Sequence, residues 1–337
     1  MNVREFSVIS GEVVRRIVSQ HRPEIVREVQ RTYLVHDRGD TVNPDSYFLR
    51  FPAKPDSRII ALPAYLGGEH DIAGIKWIAS FPGNIEHGIP RASAVLLLND
   101  YATGYPFALL EAAQVSAART AASAVLAAEV LSGIRQAQRL AVVGAGIIAR
   151  NILEFFAAQD WEFGQVAVYD QVPAYAAALA GHATTRLGYP ARPAADLAAA
   201  LTGAQLTVLA TTASSPYLTD PALVTPGDVV LNISLRDISP QLIVTAHNVL
   251  DDVEHCLKAG TSPHLTEQEY GHRDFISGTL AQVITGAVTV KPDKPIIFSP
   301  FGLGVLDLAV GALVYREARE NAELIDIPGF FGETTRW

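Results

Sequence analysis

Hydrophobic positions follow two different patterns along the chain. Between residues 13 and 34 they recur at helical spacing, and Pro23 indicates that a second helix begins near it. Strand-like segments follow at 46–51, 58–62, 73–80 and 93–99, separated by glycine and proline. The first 110 or so residues therefore predict helices packed on a sheet.

From residue 114 the pattern changes. A long helix is predicted over 114–131, and short apolar runs then alternate with helical stretches. The runs are 140–143, 166–169, 206–210, 229–233, 249–250 and 296–298, and a last helix covers 306–322. Continuous apolar strands with helices between them are typical of a parallel sheet covered on both faces. We therefore predict an α/β fold, with a Rossmann-type, doubly wound parallel sheet inserted into an α+β domain.

Composition narrows the class of protein. The chain has 337 residues, 49% hydrophobic and 18% charged, which suits about two domains with large cores and excludes disorder as the main state. The single cysteine excludes a disulfide scaffold. The net charge of -9 argues against nucleic acid and membrane surfaces as partners. No signal peptide and no membrane-length apolar run is visible, so we expect a cytoplasmic protein.

A glycine motif follows the run at 140–143. The motif is G-x-G-x-x-A, and its candidate cofactor contacts are Gly144, Ala145, Gly146, Ile147 and Ile148. Strand, glycine loop and helix in this order form a pyrophosphate site. Asp170 ends the next strand, where a carboxylate binds ribose hydroxyls and repels a 2′-phosphate, so NAD is expected rather than NADP. The alternative is a turn aspartate beside a loop that only packs a helix.

Several charged residues interrupt apolar stretches. Arg50, Lys76 and Arg119 together suggest a pocket for carboxylates, although each alone could be an exposed side chain. Asp237 follows the run at 229–233 and could be a general base or stabilise a cation. Equally, it could pair with Arg236 or cap the next helix. The histidines form no metal-binding motif, so no metal site is expected.

Several motifs resemble the ornithine cyclodeaminase and mu-crystallin family over nearly the whole chain. They are Gly74-Ile75-Lys76-Trp77, Asn99–Pro106, Ala118-Arg119-Thr120-Ala121-Ala122, the Gly144 loop and Gly302–Asp307. The branch that they resemble most is that of siderophore-pathway N-(2-amino-2-carboxyethyl)-L-glutamate dehydrogenases. That branch is suggested by Tyr47–Arg50, Arg58–Pro63, Gly67–His70, Pro90–Ser93, Val168–Gln171 and Asn232–Ser234.

The resemblance implies a reaction and roles for the residues. NAD would oxidise a secondary amine with several carboxylates, releasing L-2,3-diaminopropionate and 2-oxoglutarate for siderophore or other secondary-metabolite biosynthesis. Lys76 and Asp237 are then the catalytic candidates. The substrate-binding candidates are Arg50, Arg91 and Arg119, and further cofactor contacts are Gln171, Thr211, Thr212 and Ser234. It also implies a homodimer, with a substrate-binding and dimerisation domain at 1–115 and 304–337 and an NAD-binding domain at 116–303.

Two other functions stay open. One is an ornithine cyclodeaminase or a ketimine reductase on the same scaffold. Ile60 stands where cyclodeaminases tend to carry a glutamate, and Ser234-Leu235-Arg236-Asp237 stands where they carry a G-G-D segment, which argues against ornithine cyclisation. The other is a non-catalytic, mu-crystallin-like binder of nucleotide and ligand. Retention of Lys76, Arg119 and Asp237 argues against that reading.

Overall fold

The computed structural model describes residues 5–333, which form two compact units. The described part of the first unit comprises residues 5–119 and 303–333, and the second unit is Thr120–Gly302. The chain thus leaves the first unit, completes the second and returns. The roles assigned to the two predicted domains stay predictions.

Both units contain helices and strands. The helices are α1 (Gly11–Gln20), α2 (Arg22–Asp37), α3 (Ala113–Ser132), α4 (Ile147–Ala158), α5 (Pro173–Leu187), α6 (Leu197–Leu201), α7 (Pro240–Ile243), α8 (Val253–Cys256), α9 (Ser262–Tyr270), α10 (Leu280–Ile284) and α11 (Gly304–Glu320). The first-unit strands are β1 (Ser7–Ile9), β2 (Thr41–Val42), β3 (Tyr47–Phe51), β4 (Lys54–Leu66), β5 (Ile72–Ser80), β6 (Ala92–Asp100), β7 (Pro106–Glu111) and, after the second unit, β16 (Ile325–Asp326). The second-unit strands are β8 (Gln136–Val143), β9 (Glu162–Tyr169), β10 (Ala191–Pro193), β11 (Leu206–Leu209), β12 (Val229–Asn232), β13 (His247–Leu250), β14 (Ile276–Thr279) and β15 (Ile296–Ser299).

The first unit is a mostly antiparallel sheet in the order β16-β1-β7-β6-β5-β4-β2, with β3 also paired to β4. Strand register places Leu62, Lys76, Leu96 and Leu110 in one row across the sheet. α11 packs against β4, β5 and β6. Leu96 is buried against Gly311 of this helix, so the row lies on the helix-covered face. Lys76 is therefore a cation in the core of this unit.

The second unit is an eight-stranded sheet in the order β10-β9-β8-β11-β12-β15-β13-β14, in which every strand pair is parallel. The chain runs outward from β8 through β9 to β10, and then resumes on the other side at β11. Such a switch in strand order opens a crevice at the carboxyl ends of the strands, where this class of fold binds ligands. The predicted α/β fold class is confirmed.

α3 is long and apolar enough to cross a membrane by length and composition. Most of that stretch is buried inside the protein, as in the core helix of a globular protein. Its start is capped by Glu111, whose carboxylate accepts the N–H groups of Ala113 and Gln114 at 2.7 and 3.2 Å. The cap defines where the helix that carries Ser116 and Arg119 begins.

Candidate functional site

The glycine loop joins β8 to α4 at the carboxyl edge of the second sheet. Gly144 has a φ of +90°, and a Cβ atom there would lie 2.4 Å from the carbonyl oxygen of Ala210, so glycine is required. A Cβ atom on Gly146 would meet no other atom within 4 Å. Gly146 also begins α4 without a side-chain cap. Open backbone and uncapped helical N–H groups are what a bound pyrophosphate requires.

Asp170 follows β9, and its carboxylate lies against the same loop. Oδ2 accepts the N–H of Ala145 at 2.8 Å, and Oδ1 accepts the N–H of Val172 at 2.9 Å. Ile147 and Gln171 are exposed, and Ile148 is half-buried. The loop and the acidic residue are therefore held together within one unit, as a dinucleotide site needs.

Asp237 lies in the turn after β12 and is completely buried. The hydroxyl groups of Thr211, Ser234 and Tyr217 donate to its carboxylate at 2.9, 2.7 and 2.9 Å. The N–H of Thr211 in turn donates to Ser234 Oγ at 2.7 Å, which ties the ends of β11 and β12 together. Thr212, also predicted to contact the cofactor, is exposed. Arg236 does not pair with Asp237 but donates to the carbonyl oxygen of Ala259.

Burial raises the pKa of Asp237 above its usual value, and the three hydroxyl groups and nearby Arg236 oppose this shift. A carboxylate with a raised pKa accepts a proton more readily near neutral pH, which suits a general base. Tyr217, which the sequence reasoning missed, has its own pKa raised by burial and by Asp237. It therefore stays protonated and acts as a hydrogen-bond donor.

Lys76 is bound to a second carboxylate in the first unit. Its Nζ lies 2.5 Å from Oδ2 of Asp307 and donates to Ser116 Oγ at 3.3 Å. Arg119 Nε lies 3.2 Å from the other oxygen, Oδ1, of the same Asp307. Ser116 and Arg119 are one turn apart on α3, so both face the same neighbour. The structure thus brings together two of the predicted cations around one carboxylate.

Burial lowers the pKa of Lys76 to about 8, helped by repulsion from Arg119, while Asp307 acts in the opposite direction. Below that pH the ammonium form predominates. The site then holds two cations and one anion, a net positive charge that suits one substrate carboxylate.

Arg50 and Arg91 are not in contact with this cluster in the described structure. Arg50 lies opposite Arg58 on β4, and its guanidinium stacks over the Phe48 ring at 5.2 Å. Strand alternation puts Arg50 on the same sheet face as Lys76, two rows away. Arg91 precedes β6, and burial lowers the pKa of its guanidinium. The structure thus pairs Lys76 with Arg119 around Asp307 and places Arg50 farther along the same face, while the substrate-binding roles of Arg50 and Arg91 stay predictions.

Asp307 is the second site residue that sequence reasoning did not assign. A signal was present, because Asp307 is the one charged residue among the buried positions of α11. Its partner Lys76 lies 231 positions away, and nothing in the spacing connects them.

Among the residues that the structure describes, one cluster of metal-ligand types occurs, and its members are half-buried residues of the first unit. Potential ligand atoms of His21, Glu24 and Glu317 lie within 4.8 Å of one another. Each ring nitrogen of His21 faces a different carboxylate, and Arg316 pairs with both glutamates. The contacts are those of an ion-pair cluster.

Comparison with known proteins identifies one family and relatives that match nearly the whole chain. The model of the ornithine cyclodeaminase/mu-crystallin family matches residues 18–322. N-((2S)-2-amino-2-carboxyethyl)-L-glutamate dehydrogenase of Staphylococcus aureus is 28% identical, over 94% of this chain and 97% of that protein. Alanine dehydrogenase of Archaeoglobus fulgidus is 26% identical, over 93% and 95% of the two chains.

Solved structures show the same fold. The Δ1-pyrroline-2-carboxylate reductase of Thermococcus litoralis, in complex with NADH and L-proline, has a TM-score of 0.86 and 22% identity, covering 96% of this chain and 99% of that one. An archaeal alanine dehydrogenase dimer with bound NAD also has a TM-score of 0.86, with 24% identity and coverage of 97% and 100%. At these identities the likeness concerns the fold.

Proposed function

The chain belongs to the ornithine cyclodeaminase/mu-crystallin family, and on that basis we propose that it oxidises N-(2-amino-2-carboxyethyl)-L-glutamate. Relatives that match nearly the whole chain include dehydrogenases and a reductase, and the protein is an NAD-dependent oxidoreductase of this kind. The proposed reaction consumes the amine, NAD⁺ and water, and yields L-2,3-diaminopropionate, 2-oxoglutarate, NADH and a proton. The observation that carries the proposal is the pair of cations formed by buried Lys76 and partly buried Arg119, which a carboxylate of an amino-acid substrate would explain.

The second unit fits NAD. Gly146 and the first turn of α4 would hold the pyrophosphate, and Asp170 would accept hydrogen bonds from the ribose hydroxyls. When bound, NAD⁺ supplies the hydride acceptor for oxidation of the α-carbon of the glutamate moiety. Thr211, Thr212, Ser234 and Gln171 complete the proposed set of contacts.

The chain's own groups would bind the substrate and move the protons. Lys76 and Arg119 would bind one carboxylate, and Arg50 and Arg91 are proposed for the others. Asp237 in its ionised form would stabilise the substrate iminium, and its raised pKa suits it to take a proton from the water that hydrolyses the iminium. The three hydroxyl donors would hold its carboxylate in one orientation.

One assay tests the reaction. The purified protein is incubated with NAD⁺ and the glutamate–diaminopropionate adduct, NADH is followed by absorbance, and the products are identified by mass spectrometry. We expect NADH together with 2-oxoglutarate and 2,3-diaminopropionate in equal amounts.

Parallel reactions separate the alternatives. Proline and ammonia from ornithine would replace the proposal with a cyclodeaminase. Faster reduction of Δ1-pyrroline-2-carboxylate by NADH or NADPH would replace it with a ketimine reductase. Binding of NAD without turnover of any of these amino acids would indicate a mu-crystallin-like binder.

We also propose a setting for the enzyme. The product amino acid would feed siderophore or other secondary-metabolite biosynthesis. We expect a cytoplasmic homodimer that joins through the uncovered face of the first sheet. Tyr47, Ala61, Trp77 and Val95 form one row on that face, and Tyr47, Trp77 and Val95 are exposed.

A further inference from the structure

Asp307 is an acidic residue in a buried, apolar environment, where an unpaired charge destabilises the folded state. It is completely buried on α11, and its neighbours Leu306 and Leu308 are buried as well. An unpaired carboxylate in such a place would be strongly destabilising. The role of Asp307 is therefore to be inferred from the cations that pair with it. Those partners are Lys76 and Arg119, the two cations that bind a substrate carboxylate in the proposed function.

The two oxygens of Asp307 divide their contacts between these cations. Lys76 has three N–H groups, of which Asp307 and Ser116 take two, so one donor remains for another acceptor. Arg119 contacts Asp307 through Nε. The edge formed by Nη1 and Nη2 therefore points away from this contact and has the parallel geometry that binds a carboxylate.

We propose that Asp307 is a positioning residue, which keeps Lys76 in its ammonium form and orients the Nη1 and Nη2 edge of Arg119 toward one carboxylate of the substrate. The inference rests on the proposed function, because it takes that substrate to be an amino acid with carboxylates. It also assigns a specificity role. With Asp307 in place the site carries one net positive charge, so it matches a single carboxylate rather than two.

The surroundings of Lys76 explain why Asp307 is needed. The residues paired with Lys76 on β4 and β6 are Leu62 and Leu96, which carry no charge. α3 contributes Ser116 and the like-charged Arg119, and α11 contributes Asp307. Both burial and Arg119 favour the neutral amine, so among these groups Asp307 alone favours the ammonium form.

A pH titration of Lys76, monitored by NMR, tests this role without any substrate. The sequence has five lysines, so lysine labelled with ¹³C at Cε gives few signals, and Lys76→Arg identifies the one that belongs to Lys76. In Asp307→Asn we expect the pKa of Lys76 to fall by about 1–3 pH units, the usual effect of losing an adjacent opposite charge. Asp307→Glu keeps the charge and should fold and titrate close to the wild type.

Glu28→Gln is the matched control. Glu28 is another buried acidic residue of the first unit, paired with Arg31 and His70 rather than with Lys76. Its loss should lower the melting temperature and leave the titration of Lys76 unchanged. An unchanged Lys76 pKa in Asp307→Asn would overturn the proposal, even if that variant were less stable.

Kinetics give the second readout. At pH 7 the KM of Asp307→Asn for the adduct should rise at least tenfold, and the pH at which KM increases should move downward from about 8. Asp307→Glu should restore most of the affinity. A KM and pH profile like those of the wild type would contradict the role. A shifted Lys76 titration in a protein that does not oxidise the adduct would support the charge-setting role and reject the proposed substrate.

Discussion

Asp237 is a carboxylate that three hydroxyl groups surround in place of water. Its pKa in the folded chain is raised above the unfolded value of 3.8, so any stability from its protonation is present at low pH and lost as pH rises through the folded pKa. Above its folded pKa the ionised group therefore costs stability. Asp237→Asn should lower kcat by at least about 10²-fold without lowering the melting temperature.

Calorimetric NAD binding and thermal unfolding check this prediction together with the rate. Unchanged affinity for NAD would locate the defect in the chemical step. Turnover at the wild-type rate would contradict the assigned role of Asp237, and loss of NAD binding would make the residue part of the cofactor site.

Asp170 allows a test of cofactor choice at a single residue. A 2′-phosphate next to its carboxylate would be repelled, and like charges in contact cost several kcal/mol. Asp170→Asn keeps an acceptor for the N–H of Ala145 and removes the charge. The ratio of kcat/KM for NAD⁺ over NADP⁺ should fall at least about tenfold. An unchanged ratio would show that Asp170 does not select the cofactor.

The residues of the site differed in how visible they were in the sequence. Lys76 and Arg119 could be predicted because each is a cation within an apolar stretch, and Gly144 because its motif follows a strand. Their common partner Asp307 could not be assigned, because ion pairing across 231 positions depends on how α11 packs. Tyr217 carried no pattern at all, since its hydroxyl meets Asp237 only through the path of a loop.

At the scale of elements, α11 is held close to the sheet by a glycine. A Cβ atom on Gly311 would lie 2.3 Å from Cδ2 of Leu96. Glycine to alanine within a helix normally stabilises by about 1 kcal/mol, but overpacking here should reverse the sign and destabilise by about 1–3 kcal/mol. Leu96→Val removes the clashing atom, so Gly311→Ala should cost less in that background. Urea unfolding of the four proteins measures the coupling, and additive effects would contradict the close contact.

The strands that were easiest to predict are those of the second unit. Buried parallel strands are continuously apolar, and the runs at 140–143 and 229–233 stand out for that reason. β4 is longer than its predicted segment at 58–62, because its polar start at Lys54 still pairs with β3. β7 was not predicted, since its apolar run begins at a proline and is short.

At the scale of the whole molecule, the uncovered face of the first sheet predicts association. Trp77 is 41% exposed in a row of apolar side chains. Trp77→Asp should convert the proposed dimer to a monomer in light scattering after size-exclusion chromatography. Tyr175→Asp, which replaces a somewhat more exposed aromatic residue on α5, is the control and should leave the mass unchanged. A Trp77→Asp protein with the wild-type mass would place any interface elsewhere.

The return of the chain to its first unit has a consequence for synthesis on the ribosome. β1 pairs with β16, and Lys76 pairs with Asp307, so the first unit lacks an edge strand and a counter-ion until the last part of the chain has been made. Thr120–Gly302 is already present by then and is continuous. Domains generally fold as units during synthesis, so we expect the second unit to be folded before α11, which the first unit needs, has been synthesised. A messenger truncated before α11 would therefore yield a protein whose second unit is complete and whose Lys76 lacks its counter-ion, Asp307.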